Sequence, residues 1–287
     1  LKSKILPTSI KGKVVGLPTS KTTQHAAKKK AAEIAKHYET YFHPMVALND
    51  EDINSVYRLR HDVYCEELGF EPVNPQKVER DEFDDYSDYC LVRHKSSNTY
   101  ASTVRVVAPS GGQLLPLEKY CEGAITDEEL HPQNFAREDV CEISRLALRA
   151  TFRRRKADKF KDSAVGGINI NELYEDELRC FPFITASMYL AATVLVERHN
   201  IKHAYVMMEP RLARSTALLG IKFQQIGPVV EYHGQRAPYY ITAEKIRSDL
   251  PITLKPLMDM IEREVNASLS MSQVVGAQES ILYRGNS

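Results

Sequence analysis

The sequence predicts an α/β protein built on a mixed β-sheet flanked by helices on both faces. Three observations carry this. Segments of helical and strand periodicity alternate in the order helix, hairpin, strand, long helix, strand, helix, hairpin, which suits a mixed sheet better than an all-parallel one. The chain has 287 residues, 43% hydrophobic and 26% charged, close to the averages of folded domains. At that length folding buries about 70% of the unfolded surface without a disulfide or metal staple. The longest apolar-rich stretch, FPFITASMYLAATVLVERHN, is interrupted by Thr185, Ser187 and Thr193. It falls short of the ~18 uninterrupted residues of a membrane span and reads as a buried helix.

Residues 1–45 read as a basic, largely disordered extension, with helix character only across AAKKKAAEIAKHYETYF. No apolar h-region marks a secretory signal. The folded domain is expected over 46–245, followed by a terminal helix near 252–266 and a tail, together 246–287. DEDINSVYRLRHDVYCEEL (50–68) has helix chemistry: Asn49 or Asp50 to cap it, acids in the first turn and Gly69 to stop it. YCLVRH and TYASTVRVVAP, separated by SSN, form a hairpin. VCEISRLALRATFRRR begins as a strand; simple alternation puts Leu146 and Leu148 on the face of Glu142, with Ile143, Ala147 and Arg145 on the other. A polar insertion covers roughly 153–175. The helix 183–199, the strand HAYVMME, the helix RLARSTALLG and a hairpin turning at Gly234 complete the domain.

Lys+Arg and Asp+Glu are both 38, a net charge of zero, which argues against a globally electropositive nucleic-acid binder. The five cysteines, Cys65, Cys90, Cys121, Cys141 and Cys180, form no CxxC pair. They suggest neither a zinc site nor a disulfide framework and suit a reducing cytoplasm. No GxGxxG follows a strand, and GxSxG and HExxH are absent.

Charged residues on otherwise apolar elements are the chemical signal. Arg60 falls inside the stripe Ile53, Val56, Tyr57, Val63, Tyr64. A core-facing guanidinium must find carboxylates, so Arg60 is expected within salt-bridge reach of Asp81, Asp84 or Glu142. Glu79, Asp81, Asp84 and Asp85 cluster in an acidic loop, Arg105 interrupts TVRVVAP, and Glu142 and Arg145 share a core strand. Together they describe a buried, mutually compensating polar network. The residues alone suit a structural ion network as well as an active site.

The ordered set Arg60-x3-Tyr64, Phe70, Glu79-x-Asp81-x2-Asp84, Arg105 and Glu142-Ile-Ser-Arg145 resembles the acyl-homoserine-lactone synthases. It is still closer to their relatives, the long-chain N-acyl amino acid synthases and the acyltransferases associated with PEP-CTERM/exosortase systems. The phrases YRLRHDVYCEELGFEP, DEFDDYS and EISRLALRATFRRR are similar to that last group, and the match covers about 50–240. The resemblance implies a GNAT-like acyltransferase domain over 46–245 and an acyl thioester donor, either acyl carrier protein with its phosphopantetheine or coenzyme A. No bound cofactor is expected beyond that donor, and the spacing of the histidines gives metal binding no support. The resemblance also implies that Glu142, Asp81, Asp84 and Arg145 are catalytic and that Arg60, Tyr64, Phe70 and Arg105 bind the acceptor, a small amine. Phe70 stands where the lactone synthases usually have Trp, Tyr64 replaces their usual Phe, and the chain has no Trp. These departures point away from a lactone product and leave acyl transfer to an amine intact. A lactone-forming synthase and a non-catalytic carrier-binding module remain the alternatives.

Leu146, Ala147, Leu148, Arg149, Arg153, Arg154 and Arg155 are the expected donor-binding residues. The resemblance implies that a bulge and splayed backbone amides of the central strand meet the thioester and pantetheine. The run RATFRRRKADKFK would form a basic rim steering an acidic carrier protein or coenzyme A phosphates, unless it is simply a solvated loop. Glu142 is the candidate base, through water. If Glu142 and Arg145 serve one pocket, a bulge near Ser144 is required.

Overall fold

In the computed structural model, which describes residues 21–153 and 180–284, helix α1 (Lys21–Tyr41) leads into the edge strand β1 (Phe42–Val46). The disorder expected up to residue 45 therefore does not hold from residue 21 onward. The lysines mask an apolar stripe, Ala31, Ala35 and Tyr38, all buried and three or four residues apart as one helix face requires. Tyr38 Oη also meets Ser187 Oγ at 2.5 Å. Residues 1–20 lie outside the described residues, as do 154–179, which hold most of the polar insertion.

Helix α2 (Asp50–Arg60) is capped as expected: Asn49 Oδ1 accepts the Asp52 N–H at 2.9 Å. It continues as a π-helical turn, His61–Glu67. A 3-10 turn, Glu82–Tyr86, precedes the hairpin of β2 (Ser87–His94) and β3 (Thr99–Val107). Then follow α3 (Pro116–Tyr120), β4 (Val140–Leu148), α4 (Phe181–Arg198), β5 (His203–Met208) and α5 (Pro210–Leu218). The strands β6 (Gln224–Gln225), β7 (Val230–Glu231) and β8 (Gln235–Ile241) and the helices α6 (Ala243–Asp249) and α7 (Lys255–Arg284) complete the chain. Helix α7 runs well past residue 266. Its Leu257, Met258, Ile261 and Val265 enter the same core as α4, so the terminal helix is packed rather than appended.

The eight strands form a mixed sheet in the order β1-β2-β3-β4-β5-β8-β6, with β7 beside β8. Among the described residues only β4 and β5 pair in parallel. One face buries Cys90, Val92, Val104, Val106 and Ile143 against α1, α4 and α7. The other packs Leu59, Val56 and Val63 of α2 and the π turn onto Leu91 and Ala147.

Two irregularities of β4 prepare the site. Opposite β3 its register jumps between Arg105↔Ser144 and Thr103↔Ala147, and Arg145 has φ +47°. This is a bulge, with one extra residue on β4. It corrects the simple alternation: Ile143, Leu146 and Leu148 all turn to the α4 face and Ala147 to the α2 side. Against β5, β4 pairs only at Val140↔His203, Cys141↔Ala204 and Glu142↔Tyr205. Beyond Glu142 the two strands splay apart.

Candidate active site

Arg60 is fully buried and held from three directions. Its Nε donates to Glu79 Oε2 at 2.5 Å, and Nη1 and Nη2 to the two Asp84 oxygens at 2.6 and 3.1 Å. The expectation of a carboxylate within reach is met by Asp84. Arg105 Nη1 donates to Asp81 at 2.5 Å and Asp84 at 2.9 Å, and its Nε to Ser144 Oγ at 3.1 Å. Arg145 reaches Glu79 at 3.1 Å and Asp81 and Glu71 at 3.2 Å each. Three arginines thus alternate with Glu71, Glu79, Asp81 and Asp84. The acids sit correctly because the 3-10 turn is a capping box: Asp81 accepts the Phe83 N–H while Asp84 accepts the Asp81 N–H.

Such a network is stable only because each charge has partners. Burial, the largest single effect, would raise the Asp84 and Glu79 carboxyls, but Arg60 together with Arg105 at Asp84 and with Arg145 at Glu79 leaves both below the usual carboxylate range. Burial would likewise lower the Arg60 guanidinium, and Glu79 and Asp84 reverse it.

Glu142 is the exception. It stands at the last β4–β5 pair, where the splay opens, and is 2% exposed. No ion pair to it is found among the described residues. Its Oε2 accepts one backbone hydrogen bond, from Leu117 N–H at 2.7 Å. That donor lies in the first turn of α3, whose capping contact from Glu118 to the Leu115 N–H (2.7 Å) is anchored by an Arg137–Glu118 ion pair. Burial pushes the Glu142 carboxyl up to about 8; the Leu117 N–H and the more distant Arg105 and Arg145 charges offset only part of that. The same arginines therefore keep one set of carboxylates ionised and leave this one able to carry a proton near neutral pH.

A pocket opens from the splay. Its walls include Tyr64, Phe70, Asp81, Arg105, Glu142, Arg145 and Leu146, seven of the residues expected at the site. The bulge is what lets Glu142 and Arg145 share it. Arg60 and Asp84 stand behind this wall and hold Arg105 and Glu79. Tyr64 Oη donates to Leu146 O at 2.9 Å, pinning the strand beyond the bulge. Ala147 and Leu148 are buried in core clusters rather than along the pocket. The exposed basic rim is also corrected in part: Arg149 pairs with Asp62 at 2.5 Å, and Arg153 is buried against Glu67. Acidic partners on the π turn draw both arginines inward. Arg154 and Arg155 lie outside the described residues.

Sequence reasoning gave Glu71, Tyr232 and Arg236 no role at the site, although all three line the pocket together with His233, Met207 and Met208. The signal that found Arg105, a charge within an apolar strand, was also present in QRAPYYI for Arg236. Glu71 and Tyr232 offered no such signal, because loop residues lack a periodicity to break. One group of metal-ligand type, His61, Asp62 and Glu66, lies in the π turn with ligand atoms within 4.8 Å of one another, but Asp62 there already pairs with Arg149.

A family model described as "Acetyltransferase (GNAT) domain" matches residues 59–161, which include the network, β2 to β4 and the bulge. No curated protein matches the chain. Among solved structures, TofI in a ternary complex with an inhibitor and MTA is 18% identical with a TM-score of 0.51, covering 74% of this chain and 99% of that one. The AHL synthase LasI is 13% identical with a TM-score of 0.50, covering 74% and 97%. The fold is therefore GNAT-like, as expected from the sequence. FeeM, an N-acyl amino acid synthase from uncultured soil microbes, is 14% identical with a TM-score of 0.47, covering 74% and 96%. No helix among the described residues is long and apolar enough to cross a membrane.

Proposed function

We propose that the chain is an N-acyltransferase that moves a fatty acyl group from an acyl thioester, on acyl carrier protein or coenzyme A, to the amine of an amino acid or similar small molecule. The observation that carries this is Glu142 at the vertex of the β4–β5 splay, with its proton affinity raised, beside a fixed arginine–carboxylate wall. An extended pantetheine arm carries amides that can pair with the strand edges left open by the splay. That would place the thioester carbonyl near Glu142.

The acceptor nitrogen attacks the thioester carbonyl carbon. A C–N bond forms, the C–S bond breaks, and the amine proton passes to Glu142 directly or through water. A carboxylate with a pKa near 8 is better matched to an amine than an ordinary one. Backbone N–H groups of the splayed edge suit the developing oxyanion. The departing thiolate takes up that proton from Glu142, directly or through water, so that free thiol leaves and Glu142 returns to its carboxylate form. No enzyme nucleophile is required, because the thioester is already activated. A non-catalytic carrier-binding module would have no use for a buried, proton-holding glutamate at this vertex. The reaction draws on donors made in the cytoplasm, which is the proposed location.

Purified protein given acyl carrier protein or coenzyme A thioesters and a panel of amino acids, read by mass spectrometry, is expected to yield N-acyl amino acids and free thiol in equal amounts. Lipids of a host expressing the chain would reveal acyl length and head group together. Product formation no greater than that of Glu142→Gln would overturn the reading.

A further inference from the structure

Arg60 and Arg105, expected to bind the acceptor, and Arg145, expected to be catalytic, are each engaged by two or three protein carboxylates. An incoming carboxylate would have to displace one of those and leave it buried and uncompensated. Arg236 on β8 differs. Among the described residues it makes no ion pair; its Nε donates weakly to His233 O at 3.4 Å, and its guanidinium stands 5.9 Å from the centre of the Phe70 ring. It is half-buried and lines the same pocket as Glu142. The nearest acid of its own hairpin, Glu231, is occupied by the Gly234 N–H at 3.1 Å and Gln235 Nε2 at 2.5 Å.

The neighbours of Arg236 add to the case. Phe70 packs against His233 with ring centres 5.2 Å apart and planes tilted by 36°, and His233 Nε2 is 3.9 Å from Glu71. Burial holds the His233 imidazole below its ordinary value despite Glu71, with Arg236 pushing the same way. Both effects disfavour the charged imidazole, so His233 competes less for an anion than an ordinary histidine would. The pocket lining thus combines carboxyl groups, Glu71, Asp81 and Glu142, with a planar cation that no carboxylate among the described residues pairs. That is the charge pattern of an α-amino acid, ammonium toward the acids and carboxylate toward the guanidinium.

We propose that Arg236 is the carboxylate anchor of the acceptor site, so that the acceptor is an amine carrying a free carboxylate. The identity of the ligand as an acceptor rests on the acyl-transfer reading, whereas the anion site itself does not. A phosphate of the pantetheine arm has the same charge chemistry, and the test separates the two sources.

The measurement is binding of N-decanoylglycine and of its primary amide, which differ only in the carboxylate. Wild type is expected to favour the acid by roughly 10- to 100-fold, the worth of a charge-assisted bidentate contact. Arg236→Gln should bring the ratio close to one, and Arg236→Lys, which keeps the charge but not the fork, should retain part of it. Thermal melting controls for folding, which should survive because no ion pair is broken. A wild type without preference, or a ratio unchanged in Arg236→Gln, would overturn the anchor. If Arg236→Gln instead changes the ratio of pantetheine 4′-phosphate to pantetheine binding and spares the acid-to-amide ratio, the anion belongs to the donor and the acceptor assignment fails. Acyl transfer is assayed in parallel. Acid preference through Arg236 without any transfer would sink the proposed reaction and leave the anchor standing; transfer without acid preference would do the reverse.

Discussion

Glu142 lines the pocket and Asp84 stands behind its wall; the two carboxyls have opposite shifts in proton affinity, and the difference is local. Asp84 touches two guanidinium groups, whereas Glu142 touches one backbone N–H. Environments that push two acids apart in this way are a mark of acid–base sites. If Glu142 accepts the amine proton, turnover with an acceptor whose amine is neutral throughout should rise with pH and level off above about 8. Glu142→Gln should fall by roughly 100-fold or more and lose that dependence, with partial recovery at high pH for ordinary amines, which are then already neutral. A folded variant with near wild-type turnover and an unchanged pH profile would make Glu142 purely structural.

At the scale of the element, β4 is made useful by its defects. The bulge spends one residue, Arg145, in the left-handed region at φ +47°, which is unfavourable for a side chain other than glycine. In return Ser144 reaches Arg105 and Arg145 reaches Glu71, Glu79 and Asp81. Arg145→Ala keeps the backbone strain and removes the cation, so a loss of about 3 kcal/mol is expected from the uncompensated acids. Arg145→Gly removes the same cation but relieves the strain and should be the more stable of the two by about 1 kcal/mol. Urea unfolding of both variants measures this, and equal stabilities would show that the bulge is not strained.

Across the molecule, the two kinds of carboxylate give stability two pH limbs of opposite sign. Asp84 and Glu79 are depressed, so their contribution is present above the ordinary carboxylate range and is lost as pH falls through their folded values. Glu142 is raised: its folded state binds the proton more tightly than the unfolded chain. Its contribution is therefore complete below about pH 4.5 and is lost as pH rises toward about 8. The difference in melting temperature between wild type and Glu142→Gln should accordingly move against wild type from pH 5 to pH 8 and stay constant above. A difference that does not vary with pH would contradict the raised proton affinity of Glu142.

Much of this was legible in the sequence because burial leaves a periodic trace. A core-facing Arg60 in a helix stripe, and Arg105 and Glu142 in apolar strands, break a hydrophobic pattern and so announce partners; the mixed sheet followed from the order of elements for the same reason. The bulge was legible only as a condition, since an extra residue changes which face every later side chain takes without changing composition. Other features had no local trace. The lysine-rich surface of α1 hid a buried stripe whose partner, α7, lies more than 200 residues away. Arg149 and Arg153 looked like a free basic rim until the π turn brought Asp62 and Glu67 to them. Arg236 did interrupt an apolar strand, but that it has no carboxylate partner among the described residues is visible only in the structure. Sequence periodicity determines which charges are buried, because hydrophobic burial acts along each element. Only tertiary structure decides which charges neutralise each other, because ion pairing depends on distances between elements remote in the chain.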